Sequence, residues 1–130
     1  MTKRALLVLV CALQASAHED RDRAGRPVCL SVTDAGSDVL TLQIPHRFML
    51  EPDRDDLRLV QALLNQAEPA LGVSMRRADG SVLVNLSGTV AGFFTAMQLT
   101  WNPRTGTGSG RIASELSSHP KVQVSQSRCP

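Results

Sequence analysis

Asp53–Leu71 reads DRDDLRLVQALLNQAEPAL, the most strongly patterned stretch of the chain. Leu57, Val60, Leu63, Leu64, Ala67 and Leu71 recur at steps of three and four, the spacing of one apolar stripe on an amphipathic helix. Asp53 has the chemistry of an N-cap, and Asp55 and Asp56 stand in the first turn, where the helix dipole favours negative charge. Pro69 and Gly72 supply stop signals. This reading predicts a helix over about residues 54–68, with its stripe serving as core.

Working outward, the neighbouring segments read as strands. Val28–Thr33 and Val39–Ile44 flank the turn residues Asp34–Asp38, and Pro45 ends the second run. Beyond the expected helix, Val73–Ala78 and Ser81–Leu86 are joined by Asp79-Gly80, a strong type I′ hairpin signal. Phe93, Thr95, Met97, Leu99 and Trp101 alternate as in a strand, although residues 90–97 also suit one short helix. A Gly- and Thr-rich loop, Asn102–Gly110, precedes short strands at Ile112–Leu116 and Val122–Val124. The expected class is therefore α+β: one amphipathic helix packed on a mostly antiparallel sheet of five to seven short strands. Leu86–Val90 (LSGTV), with the Asp-Gly turn, superficially resembles the envelope-associated BON domain. The spacing runs about two residues long and a second helix is missing, so no function is carried across.

At the other end of the chain lies an address. Lys3 and Arg4 precede an unbroken apolar run, Ala5–Leu13, and then Ala15-Ser16-Ala17. A basic start, a short apolar run and an A-x-A site make a secretory signal peptide, expected to be residues 1–17. The run has nine residues, whereas a spanning helix needs about 20. Removing it leaves 113 residues, 12 basic and 12 acidic, of which 38% are apolar. Neutrality argues against a nucleic-acid partner. The mature chain divides into an expected flexible segment, residues 18–27, and a single domain, residues 28–130, with no transmembrane segment. Cys11 leaves with the signal peptide, and Cys29 and Cys129 remain as an expected disulfide in a periplasmic or secreted protein.

Candidate chemistry is sparse. Cleavage after Ala17 makes His18 the new N-terminus, whose amine and imidazole form a chelating pair suited to copper. In this the chain resembles small periplasmic copper-handling proteins, with His46 or His119 as further ligands. Neither G-x-S-x-G nor H-E-x-x-H occurs, so no catalytic residues are assigned. Gly106, Gly108 and Gly110, flanked by Arg104 and Arg111, have the composition of an anion cradle, but a hairpin loop is the simpler reading. Charge is uneven: residues 18–58 carry nine acidic and six basic groups, residues 59–130 three and six. Taken together, these features favour an exported, non-catalytic binding module without a cofactor, engaging a protein or cell-envelope component as inhibitor, immunity or assembly accessory proteins do. Copper binding through His18 is the alternative.

Overall fold

The computed structural model describes residues 25–130. Residues 1–17, the expected signal peptide, and His18 lie outside the described residues, as does most of the expected flexible segment 18–27. The fold is a closed antiparallel barrel of eight strands, each paired with its sequence neighbours and β8 with β1. The strands are β1 Val28–Asp34, β2 Ser37–Ile44, β3 Leu57–Leu64, β4 Glu68–Arg76, β5 Val82–Val90, β6 Phe93–Asn102, β7 Thr107–Ser114 and β8 Ser118–Ser127. One 3-10 turn, Arg47–Leu50, interrupts the series between β2 and β3.

The α+β expectation is thus overturned, because its helix is the β3–β4 hairpin. Along β3, Val60, Ala62 and Leu64 point into the barrel and are buried, while Leu57, Leu59, Gln61 and Leu63 point outward. Apolar residues on both faces of a strand overlay two period-2 patterns, and their union contains the steps of three and four that mimic a helix. Asn65 and Gln66, at φ 52° and 64°, make the turn without the glycine that would have announced it. Pro69 does not stop a helix. It is the second residue of β4, before pairing with β5 begins at Ala70.

Elsewhere local chemistry and topology agree. Ala35-Gly36 and Ala91-Gly92 all have positive φ, as two-residue hairpin turns require. The Asp79-Gly80 hairpin forms with a longer loop: Gly80 N–H donates to the Arg77 carbonyl, and Gly80 alone takes positive φ. Residues 90–97 contain no helix, since β6 begins at Phe93. The expected loop at residues 102–110 turns only at its start, because β7 begins at Thr107. Gly108 and Gly110 pair with Trp101 and Leu99, and a Cβ at either would run into the β6 backbone, first the Thr100 and Gln98 carbonyl oxygens, so the close approach of β7 to β6 requires glycine.

The interior is a single packed core that includes Leu42, Ile44, Leu64, Leu99, Trp101 and Val124. Its apolar-in alternation is opposite to that of a lipid-facing barrel with a polar lumen. One end is plugged by the 3-10 turn, which buries Met49 and Leu50. Ser74, fully buried on β4, donates its hydroxyl to the Met49 carbonyl at 2.6 Å. Arg58 holds the same segment from outside, reaching the Phe48 carbonyl at 2.9 Å and Asp53 at 3.3 Å.

Two seams close the barrel. At the first, β1 pairs with β8 over five residues, and the Cys29–Cys129 disulfide joins the start of β1 to the chain end, a separation of 100 residues. The second is thin: β2 meets β3 only at Leu42–Leu64 and Gln43–Leu63. Asn65 extends it, donating its N–H to the Thr41 carbonyl at 2.9 Å and accepting the Thr41 N–H on Oδ1 at 3.0 Å. Among the described residues no helix is long and apolar enough to cross a membrane.

Candidate functional site on the outer barrel face

Small-molecule sites usually occupy cavities of about 300–1,000 Å³. Near the plug, the space between Val28, Leu50 and Trp101 has only about 10 Å³. The side chains free for recognition are therefore on the outside.

Cross-strand register arranges that surface into rows. Leu59, Val73, Asn85, Gln98 and Arg111 are successive partners from β3 to β7. One step along, Gln61, Leu71, Ser87, Ala96 and Ala113 form the next row. In the other direction Leu57, Met75, Leu83, Thr100 and Ser109 form a third. Chemistry changes along every row. On β3 and β4 only Gln61 interrupts the apolar side chains, whereas from β5 to β7 the amides and hydroxyls of Asn85, Gln98, Ser87, Thr100 and Ser109 stand among Leu83, Ala96, Ala113 and the cation Arg111. Leu59 is 78% exposed, Leu57 67% and Leu71 61%. Scattered exposed leucines are ordinary, whereas a contiguous group on paired strands makes this face the candidate for recognition.

At the far side of the sheet the surface becomes cationic. Gly110 pairs with Val122 and Ile112 with His119, so Pro120 and Lys121 of β8 oppose the single residue Arg111. This β-bulge accommodates a proline that has no N–H for the ladder and re-aims its neighbours. Arg111 and Lys121 both line an open hollow of about 490 Å³ with Arg77 at its edge. A second hollow of about 780 Å³ adjoins it, sharing Gln98, Arg111 and Pro120, and runs to Leu71 and Val73. Among the described residues no carboxylate lines either hollow. Asp79, two residues from Arg77, is held by its own turn. Its carboxylate accepts the Ser81 hydroxyl at 2.5 Å and the Ser81 N–H at 2.9 Å, which hold its pKa below the usual aspartate value, with a smaller contribution from Arg77.

The histidines singled out from sequence are not brought together. His46 follows β2 at the plugged end, stacks on Phe48 with ring centroids 5.6 Å apart, and lies 3.3 Å from the Gly25 carbonyl through Nδ1. His119 stands at the opposite end, where Nδ1 contacts Asp34 at 2.8 Å. The seven residues of β1 span the distance between the ends, roughly 20 Å of strand, so one ion cannot take both histidines. No cluster of three metal-ligating side chains occurs among the described residues. Ser117 Oγ lies 3.5 Å from His119 Nε2, the order of an acid–base–nucleophile relay. That distance is at the outer limit of hydrogen bonding, and the group stands on an open hairpin end. Its visible role is to tie the β7–β8 turn to the end of β1.

The glycine cradle does not form, because Gly108 and Gly110 are inward-facing strand residues. Arg111 flanks them in sequence but acts on the opposite face. The outward leucines were missed because the helix reading assigned Leu57, Leu63 and Leu71 to the core. Pro120 was the one available sign of the bulge, since a proline inside a strand run marks an edge or an irregularity. Comparison with protein-family models, with curated proteins and with solved structures gives no match.

Proposed function

We propose that the chain is an exported, non-catalytic binding module that engages a protein or cell-envelope component through the outer face of β3–β5. The observation that carries this reading is the outward group of Leu57, Leu59, Leu71 and Met75, spread over three adjacent rows of two paired strands. Burying one exposed leucine on association is worth about 1.5–3 kcal/mol before the costs of ordering. Together these four side chains can supply the apolar core of an interface. The filled interior adds support, since it directs recognition to the outside. The Cys29–Cys129 bond fits an oxidising compartment.

The test is affinity capture from cell-envelope extract with the wild-type protein and with a Leu59→Ser/Leu71→Ser variant. A partner retained by the wild type and lost by the folded variant is the expected result. No retained partner, or one retained equally by both proteins, overturns the reading. Mass spectrometry of the exported protein should find His18 at its N-terminus; retention of residues 1–17 would remove the export step.

A further inference from the structure

We infer that the outer groove takes an extended acidic peptide, a segment whose apolar side chains alternate with carboxylates. The inference deepens the binding-module reading and rests on it. The groove has two halves with different chemistry. Leu71 and Val73 line the end towards β4, whereas Arg111 and Lys121 line the end towards β8. Asn85 and Gln98 stand between them, directly opposite each other on β5 and β6. Their amide groups carry both donors and acceptors, the complement of peptide N–H and C=O.

Charge decides the sign of the partner. Arg111 and Lys121 are exposed and brought side by side by the bulge, and among the described residues no acidic side chain shares their groove. The rest of the chain does not lack carboxylates, with 12 overall. Asp34, Glu51 and Asp53 are engaged elsewhere, with His119, Arg47 and Arg58. A carboxylate entering the groove meets two cations without a competing internal partner, an arrangement that steers association and penalises a basic ligand.

A nucleic acid fits this surface less well. Single strands are held by stacking on exposed aromatic rings, and no aromatic side chain lines either hollow. A lipid surface fits less well too. The apolar side chains nearest its headgroup level would bring Asp55 and Asp56, adjacent to Leu57, against an anionic membrane.

The experiment is fluorescence anisotropy on the full-length mature protein with four probes: a twelve-residue peptide alternating Glu and Leu, its Lys–Leu counterpart, phosphatidylglycerol vesicles, and a twelve-nucleotide thymidine strand. The Glu–Leu peptide is expected to bind, to weaken as salt rises, and to lose about tenfold in affinity with Arg111→Ala/Lys121→Ala. Arg111→Glu/Lys121→Glu should transfer the preference to the Lys–Leu peptide, a reversal that damage to the fold would not produce. Absence of Glu–Leu binding, or affinity unchanged in both variants, overturns the inference. Tighter binding of the vesicles or the oligonucleotide overturns it in favour of that ligand. Failure here with face-dependent envelope capture intact removes the acidic-peptide chemistry alone. Failure of the capture itself removes the binding-module reading.

Discussion

Asn65 shows how much of this barrel rests on single residues. It takes a left-handed backbone conformation at φ 52° and makes both Thr41 hydrogen bonds beyond the two-residue β2–β3 ladder. Replacing it with alanine removes one side-chain acceptor and puts a less tolerant residue at positive φ. Asn65→Ala should therefore cost about 1–3 kcal/mol in equilibrium denaturation. A change within about 0.5 kcal/mol would mean the seam closes without it. Asp79 offers a pH test at the same scale. Its folded pKa lies below the unfolded value, so its contribution is present above the unfolded pKa and is lost as pH falls through the folded one. Stability of the wild type should decline across that window, below about pH 4. The decline should be shallower in Ser81→Ala, which lacks the hydroxyl that most lowers the pKa. Identical acid limbs would show that the turn contributes nothing.

Within one element, β3 separates the two readings of its own sequence. Leu63 and Leu64 are neighbours, and a helix stripe places both in the core. In the strand Leu64 is 1% exposed and Leu63 38%. Leu64→Ala should cost about 2–5 kcal/mol, whereas Leu63→Ala should cost well under half as much. Comparable losses in chemical denaturation would restore the helix. Strands with one apolar face were legible from sequence: Leu40, Leu42 and Ile44 on β2, and Thr95 to Trp101 on β6, alternate and bury the expected face. β3 was not legible because its outer face is also apolar, and tertiary burial alone decides which leucines point inward. The same property that hid the strand makes it the candidate site. The cationic half of the groove was hidden for another reason. Arg77, Arg111 and Lys121 are far apart in sequence and meet only through the register of β4, β5, β6, β7 and β8. Scattered arginines in a chain of 14 basic and 12 acidic residues carry no such signal.

For the whole molecule, closure is the central physical fact. A barrel removes free sheet edges by joining its first strand to its last, and here the pairing of β1 with β8 is reinforced by Cys29–Cys129. A bond across 100 residues stabilises by about 4–5 kcal/mol in the chain-entropy model. Urea denaturation of the Cys29→Ala/Cys129→Ala variant should show a loss of that order. A loss under about 1 kcal/mol would indicate that strand pairing alone holds the seam. Cysteine parity and the targeting pattern foreshadowed this bond, whereas the eight-strand topology has no local signature in sequence. With the interior filled, the binding face we propose lies on the outer surface. The most direct test of that claim is calorimetric titration of the captured envelope partner into the wild type and the Leu59→Ser/Leu71→Ser variant, with thermal unfolding of both in parallel. An outer-face site predicts that binding weakens by about tenfold or more while the unfolding temperature moves by only a few degrees. Unchanged affinity, or a collapse in stability that places these leucines in the core, would contradict it.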